Sequence, residues 1–257
     1  MNKTRINRTK KNLEPKYAKI IKSTVISLLF TLMVLSIFWP VLAVPAGPSS
    51  INYISNTTAA ASTNNNRTID IKGTITTVVM NLNQQDYKWK AYVGNITGGL
   101  TLADATGKSI YDWSPANITG EVFVTRYSNT VNWGSVSCVN QSVIDNEQSA
   151  MGMSPGVVDN INNTFNGTTH KNFLVGTINV TANSCRSIAT NINGAAQSAF
   201  FQEILLKDNV TSSLIYTGMI DSKHAGYNNA NYDFQMIVGE NESSSNPTPY
   251  YFYVELR

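Results

Sequence analysis

The chain has 257 residues, of which 42% are hydrophobic and 14% charged, and its formal net charge is +3. The positive excess belongs to the N-terminus, because after Val44 there are eleven lysines and arginines against fifteen aspartates and glutamates, a net charge of −4. This acidic part has no basic patch with interleaved aromatic residues, so nucleic acid is excluded as an expected partner.

The N-terminal region predicts a membrane anchor. Residues 1–22 carry eight basic side chains and one acid, Glu14. Residues 24–44 carry no charge, and a helix of this length spans roughly 30 Å, the thickness of a hydrocarbon core. We therefore expect a single transmembrane helix at 23–44 that acts as a signal anchor, with 1–22 cytoplasmic and everything after it extracellular. The alternative is cleavage near Ala43 or Ala46, which would give a secreted protein.

The exported part divides into a stalk and a domain. Residues 45–68 are rich in Pro, Gly, Ser, Asn and Thr, which is typical of a flexible stalk. Residues 69–257 are enough for one sizeable domain. β-Branched and aromatic segments between polar turns predict strands there, at 69–79, 89–93, 100–102, 109–113, 120–127, 172–181, 199–207, 213–220, 232–238 and 250–256.

Only residues 142–153 have a helical pattern. In the segments 232–238 and 250–256 the even-numbered residues are apolar, so we expect them to face a core. Many short strands with one helix predict an all-β fold, an antiparallel β-sandwich preceded by the N-terminal transmembrane helix.

N-glycosylation sequons crowd the exported part. Ten are present, against roughly six expected from its Asn, Ser and Thr content. A sequon asparagine that carries a glycan must lie on the surface, so this excess predicts an extracellular glycoprotein. The predicted sites are Asn56, Asn66, Asn95, Asn117, Asn140, Asn162, Asn166, Asn179, Asn209 and Asn241.

Both cysteines, Cys138 and Cys185, lie in the exported part. An even count in an oxidising compartment predicts one disulfide, which the chain-entropy model values at roughly 4 kcal/mol for a loop of this length. Two buried free thiols are the alternative. Neither cysteine has a C-x-x-C partner, so no metal site is expected.

No catalytic pattern is present. His170 and His224 lie in polar segments typical of exposed turns, without the sequence context of a nucleophile. Glu121 and Glu203 could form a glycosidase pair, but a structural salt bridge of either with Arg126 is the preferred interpretation.

Two further kinds of site stay open. Loop carboxylates at Asp104 and Asp221 could bind calcium, although their spacing does not match an EF-hand. Aromatic residues could form a sugar-stacking platform, or they could simply pack in the core. The candidates are Trp89, Trp113, Trp133, Tyr251 and Tyr253.

From about residue 89 to its C-terminus, the chain resembles a family of uncharacterised exported, cell-surface β-proteins of archaea. The resemblance rests on the segments 89–95, 111–113, 120–122 with Arg126, 233–238 and 250–256. These motifs describe packed strands. The resemblance therefore implies a surface protein and transfers no catalytic residue.

We expect a non-enzymatic, glycosylated cell-surface protein with a structural or adhesive role, no cofactor, and the membrane as its partner through the N-terminal helix. A module that binds surface polysaccharide or a partner protein is one alternative. A subunit of an extracellular filament is another, in which residues 45–67 or the following strand pair with a neighbouring sheet edge. A groove lined by two or more exposed aromatic rings would favour sugar binding.

Overall fold

The computed structural model describes residues 44–59, 84–114 and 117–257, and all of these belong to one compact unit, Ala43–Arg257. The predicted basic segment 1–22 and strand 69–79 lie outside the described residues, as does the predicted transmembrane helix except for Val44. Among the residues that are described, no helix is long and apolar enough to cross a membrane.

The described part of the protein is mostly β, and all of its strand pairs are antiparallel. The described residues also form two short α-helices, α1 (Gln141–Ala150) and α2 (Ile161–Thr164), and one turn of 3-10 helix at Trp133–Ser135. The strands are β1 (Trp89–Gly94), β2 (Leu100–Ala103), β3 (Ser109–Trp113), β4 (Gly120–Thr125), β5 (Val136–Cys138), β6 (Phe173–Val175), β7 (Ile178–Val180), β8 (Ser187–Ala189), β9 (Gln202–Asp208), β10 (Leu214–Met219), β11 (His224–Ala225), β12 (Asn231–Tyr232), β13 (Phe234–Gly239) and β14 (Tyr251–Leu256).

A six-stranded sheet in the order β14-β4-β10-β9-β5, with β8 also paired to β9, organises the core. Every residue of β4 and β10 is buried. Successive side chains of a strand point to opposite faces, so each strand serves two apolar clusters. Val122 and Val124 pack on one face together with α1 and β13, whereas Phe123 packs on the other face with Trp133.

The ladder β1–β13 lies against the first of these faces. Its six residue pairs run from Trp89 opposite Gly239 to Gly94 opposite Phe234. Met236 and Val238 of β13 are completely buried in that cluster, and Phe252 of β14 packs against it. The predicted inward alternation is thus confirmed at these positions. Tyr232 is the exception, because it lies in β12 opposite His224 rather than in β13.

Other predictions need correction. Residues 172–181 form the hairpin β6–β7 rather than one strand, because Gly176 adopts a φ of 57° and reverses the chain. The helix predicted at 142–153 is confirmed as α1, but α2 and the short strands β5, β8 and β11 were not predicted. Each is too short to show a period in the sequence.

The start of the predicted stalk is bonded to the sheet. Strand β14 is an edge strand of the sheet. On its outer edge, Ala46 and Val254 exchange two backbone hydrogen bonds, with N···O distances of 3.2 and 2.8 Å. Pro45 beside it is buried. Residues 47–59 then form no helix or strand and are exposed throughout, as a stalk requires.

Candidate functional site

The predicted disulfide is present. Cys138 at the end of β5 is bonded to Cys185, with 5.0 Å between their Cα atoms. The bond joins β5, an outer strand of the sheet, to the segment before β8, 47 residues later in the chain. Both cysteines pack in the apolar cluster that contains Phe123. The described part of the chain holds no free cysteine.

His170 is not the exposed turn residue that the sequence predicts, because only 3% of it is exposed. Its Nε2 accepts the backbone N–H groups of Ser184 (3.1 Å) and Cys185 (3.0 Å). With Nε2 as acceptor, Nδ1 carries the proton and donates to the Lys171 carbonyl at 2.8 Å. The imidazole therefore holds the backbone at the disulfide and has no free nitrogen for catalysis.

Predicted glycosylation sites lie at the surface wherever the structure describes them. Seven are exposed: Asn56, Asn95, Asn117, Asn140, Asn166, Asn179 and Asn209. Asn162 and Asn241 are partly exposed, and Asn66 lies outside the described residues. Every described sequon asparagine is therefore at least partly accessible, while occupancy stays a prediction.

One sequon asparagine also caps a helix. The side-chain oxygen of Asn140 accepts the Val143 N–H at 3.2 Å at the start of α1, which satisfies one of the unpaired donors there. An N-linked glycan would attach to the side-chain nitrogen and leave this oxygen free. Capping and glycosylation are compatible at this residue.

The two glutamates considered as a glycosidase pair face opposite sides of the sheet. Glu121 shares the face of Phe123 on β4, while Glu203 shares the face of Leu205 on β9. They cannot flank one glycosidic bond. The predicted salt bridge with Arg126 is also wrong for both of them, because Arg126 Nε contacts the two carboxylate oxygens of Glu147, each at 2.8 Å.

The actual surroundings of these glutamates are structural. Glu121 lies directly opposite Glu255, and both face Arg257, whose Nη2 is 3.4 Å from Glu121 Oε2 and 2.7 Å from Glu255 Oε1. Burial raises the pKa of Glu121 to about 8, with Arg257 opposing and Glu255 adding to the rise. Burial likewise raises the pKa of Glu203, whose Oε2 accepts the Ile237 N–H at 2.9 Å.

The loop carboxylates considered for calcium have other roles. Asp104 Oδ1 accepts Thr106 N–H (2.9 Å), Thr106 Oγ1 (2.7 Å) and Lys108 N–H (3.0 Å), which closes the turn between β2 and β3. The hydrogen bond from the Thr106 hydroxyl is the main reason that the pKa of Asp104 is lowered. Across the described residues, no group of three or more His, Cys, Asp or Glu side chains converges to hold a metal.

The hairpin β2–β3 offers a different kind of site. All its residues are exposed, and it forms a separate two-stranded sheet. Leu100 lies opposite Trp113, and Leu102 lies opposite Tyr111. Residues opposite one another in an antiparallel pair share a face, and so do residues two apart on a strand. The four side chains therefore form one apolar face, which we call the hairpin face.

This face is open to solvent. Leu100 and Trp113 are each 49% exposed, Leu102 54% and Tyr111 59%. The rings of Tyr111 and Trp113 meet edge to face at 4.9 Å between centroids. They line an open depression of about 560 Å³ together with Leu100, Asp112 and Ser114. The depression thus presents two aromatic rings, while the carboxylate of Asp112, which lies between them on β3, accepts the Ser109 hydroxyl at 3.1 Å.

Of the aromatic residues proposed from the sequence as a sugar platform, Trp113 is the one that lies in this site. Trp133 is 9% exposed and packs between Phe123 and Tyr253, with ring centroids 5.1 Å from each. Trp89 packs near Phe165 and donates from Nε1 to the Asp159 carbonyl at 2.7 Å. Core packing is therefore the correct interpretation for these two tryptophans.

The strand predicted at 109–113 is present as β3, but the exposed apolar face that it forms with β2 was not predicted. Tyr111 and Trp113 are two residues apart, as are Leu100 and Leu102, so the alternation of a hairpin was readable. That no other described strand pairs with the hairpin could not be predicted from these residues.

No protein-family model, curated protein or solved structure matches the chain. Its function is therefore argued from the site, and the resemblance to exported archaeal proteins stays a prediction.

Proposed function

We propose that this protein is a non-enzymatic adhesion module of the cell surface that binds carbohydrate through the hairpin face. The observation that carries the proposal is the pair of exposed rings, Tyr111 and Trp113, on the apolar hairpin face. An aromatic ring packs against the C–H face of a sugar.

The size of the face favours a sugar over a protein partner. Four side chains that are each about half exposed offer roughly 400 Å² of apolar surface, within the range of functional patches on monomers. A stable protein interface needs about 800 Å² from each partner, twice this amount. A ligand of one or two sugar rings needs less area and uses the same contacts.

The fold supports a scaffold role for the remainder of the domain. We interpret the packing of the ladder β1–β13 over the six-stranded sheet as a β-sandwich. Its buried histidine and glutamates have structural partners, and the hairpin projects from it. This division between a rigid core and an exposed binding element is the usual arrangement of surface recognition domains.

Cell-surface location rests on the sequence together with the exposed sequons. We propose that residues 23–44 anchor the protein in the membrane and that glycans decorate the extracellular domain. Asn95 and Asn117 stand on either side of β2–β3 in the chain, and both are exposed. Glycans there would border the hairpin, while β2 and β3 themselves contain no sequon.

The filament alternative has less support. A donated strand would add at a sheet edge, and Ala46 of the same chain already bonds to Val254 on the outer edge of β14. This pairing within one chain competes with pairing between copies.

Glycan binding by the full-length protein, purified in detergent, tests the proposal. Surface plasmon resonance or a glycan array would use cello-, chito- and manno-oligosaccharides. We expect Trp113→Ala to weaken binding at least tenfold, about 1.4 kcal/mol, because it removes the larger ring of the site. Tyr87→Ala is the matched control, since Tyr87 is 51% exposed and lies outside the hairpin. Equal binding by wild type and Trp113→Ala would reject the site.

A further inference from the structure

A second group of aromatic side chains lies on loops outside the hairpin. Phe200 stacks on His224, with centroids 3.7 Å apart and planes inclined by 24°. Tyr227 is nearly parallel to Tyr232, at 6.2 Å and 14°. His224 lies directly opposite Tyr232 in the pair β11–β12, which places the two ring pairs on neighbouring strands, and we call the four rings the aromatic ladder. Phe200 is 36% exposed and Tyr227 46%.

Two glutamine side chains fix the loops that carry these rings. Gln197 accepts the Phe200 N–H at 2.9 Å and donates to the Phe200 carbonyl at 2.8 Å. Gln235 is 4% exposed and accepts the Tyr227 N–H at 2.7 Å, while its amide nitrogen donates to Thr190 Oγ1 at 2.7 Å. Exposed rings on a loop held in this way lose little conformational entropy when a ligand binds.

The backbone around the ladder holds unfavourable conformations. Four of the six non-glycine residues with positive φ in the described chain lie in these loops: Asn193, Phe201, Lys223 and Asn229. Phe201 is the clearest outlier, because a bulky residue rarely adopts a φ of 45°. It is completely buried, and its N–H donates to Asp221 Oδ2 at 2.6 Å. Such strain is typical of sites where a fixed geometry serves function.

Asp233 connects the ladder to the hairpin. Its carboxylate accepts the Ile96 N–H at 2.8 Å, on the segment that leads into β2, and the Lys223 N–H at 2.8 Å, on the turn that leads into β11. Asp233 is 4% exposed. A single buried side chain thus positions both aromatic surfaces at one end of the six-stranded sheet.

The separation of the two surfaces follows from the strand order. The segment before β2 approaches β14, since Gly98 lies beside Leu256, whereas the ladder loops lead into β9 and out of β10. From β14 it is two strand spacings to β10, whose following loop carries Tyr227, and three to β9, which gives roughly 10–15 Å. One monosaccharide cannot reach across this distance, but a glycan chain can.

We propose that the aromatic ladder is a second sugar-stacking site and that the natural ligand is a polysaccharide that occupies it together with the hairpin face. This inference rests on the proposed function and names its ligand class. Tyr227 presents the ring that is more available for stacking, because it is the more exposed of the two and lies 6.2 Å from Tyr232, whereas Phe200 is stacked on His224 at 3.7 Å. Two linked contacts on one chain raise the affinity well above that of either contact alone.

Chain-length dependence of binding tests the inference. Oligosaccharides from disaccharide to octasaccharide, of the same three series, would be titrated into the full-length protein in detergent by calorimetry. We expect wild-type affinity to rise at least tenfold from the shortest to the longest ligand. Tyr227→Ala should abolish this rise and leave disaccharide binding unchanged, whereas Tyr87→Ala should behave as wild type. A thermal melt checks that each variant is folded.

The outcomes separate the two proposals. If Tyr227→Ala binds the octasaccharide as tightly as wild type, or if wild-type affinity does not rise with length, the second site is rejected and the hairpin site stands. If Trp113→Ala has no effect while Tyr227→Ala weakens binding, the ladder is the sugar site and the hairpin assignment is wrong. Wild-type protein that binds none of the three series overturns both.

Discussion

The strand pairs β4–β10 and β2–β3 are both rich in apolar side chains, yet every residue of the first is buried and every residue of the second is exposed. Strands β4 and β10 have a partner on each side and a packed layer on each face. Among the described residues, the hairpin has neither a third strand beside it nor a packed layer on its faces. Apolar strand residues therefore stabilise the fold in one region and, in the other, leave a surface that a ligand can cover.

The polar groups of the two regions differ in the same way. The sheet buries the carboxyl groups of Glu121 and Glu203, and desolvation raises the pKa of both. In the hairpin, Asp104 is exposed and hydrogen bonds lower its pKa. The stability of the sheet should therefore depend on pH near neutrality, while the hairpin should not respond there.

Removal of β14 should have the largest effect. A chain that ends at Tyr250 loses the strand paired with all six residues of β4, together with Phe252, Val254 and Leu256 from the first apolar cluster. Each large side chain contributes roughly 1.5–3 kcal/mol when fully buried, against a total stability of about 5–15 kcal/mol. We expect this chain not to fold. Retention of a cooperative thermal transition would show that β14 is peripheral.

The disulfide should come next in size. Replacement of Cys138 and Cys185 by alanine should lower the free energy of unfolding by roughly 2–4 kcal/mol, mainly because the unfolded chain gains freedom. Denaturant titration measures the difference. Wild-type protein in reductant is the internal control and should match the double variant. A loss below about 1 kcal/mol in both samples would contradict the entropic estimate.

Glu121 should make stability depend on pH. Its folded pKa of about 8 lies above its ordinary value of 4.5, so the stability that its protonated form provides is complete below pH 4.5. That contribution is lost as the pH rises to about 8 and amounts to a few kcal/mol. Urea titrations at pH 5 and pH 8.5 should show the loss in wild type and a smaller one in Glu121→Gln. An equal loss in both proteins would assign the effect to other buried acids.

The smallest loss of stability is expected for Trp113→Ala, and Trp133→Ala serves as the matched variant with a large loss. Trp133→Ala removes a side chain that is 9% exposed and should cost about 3–5 kcal/mol. Trp113→Ala removes one that is 49% exposed and should cost less than about 1 kcal/mol. Thermal unfolding of both variants measures the difference. Similar losses would mean that the hairpin supports the fold, which would weaken the binding proposal.

Sequence patterns predicted secondary structure best where apolar residues recur at regular intervals. The alternating apolar residues around Met236 and Val238 and the helical pattern of residues 142–153 are local signals, and a strand and a helix form there. The disulfide also followed from the count and the compartment alone.

What the sequence missed depends on contacts between distant segments. His170 is buried because two N–H groups from residues 184 and 185 bond to it, and nothing near His170 in the chain indicates this. Likewise the partner of Arg126 is Glu147, on a helix twenty-one residues later. The sequence identified Trp113 as a candidate aromatic residue. Its exposure could not be predicted, because it depends on which other segments pack beside the hairpin.

If the protein is tethered and adhesive as proposed, the bridge between Ala46 and Val254 has a mechanical consequence. Tension between a bound ligand and the membrane would reach the described chain at Val44, and the first bonds to carry it would be the two between these residues. Because they form a single pair at the edge of β14, they would break before any of the longer ladders. Rupture of this bridge would lengthen the tether while the six-stranded sheet stays folded.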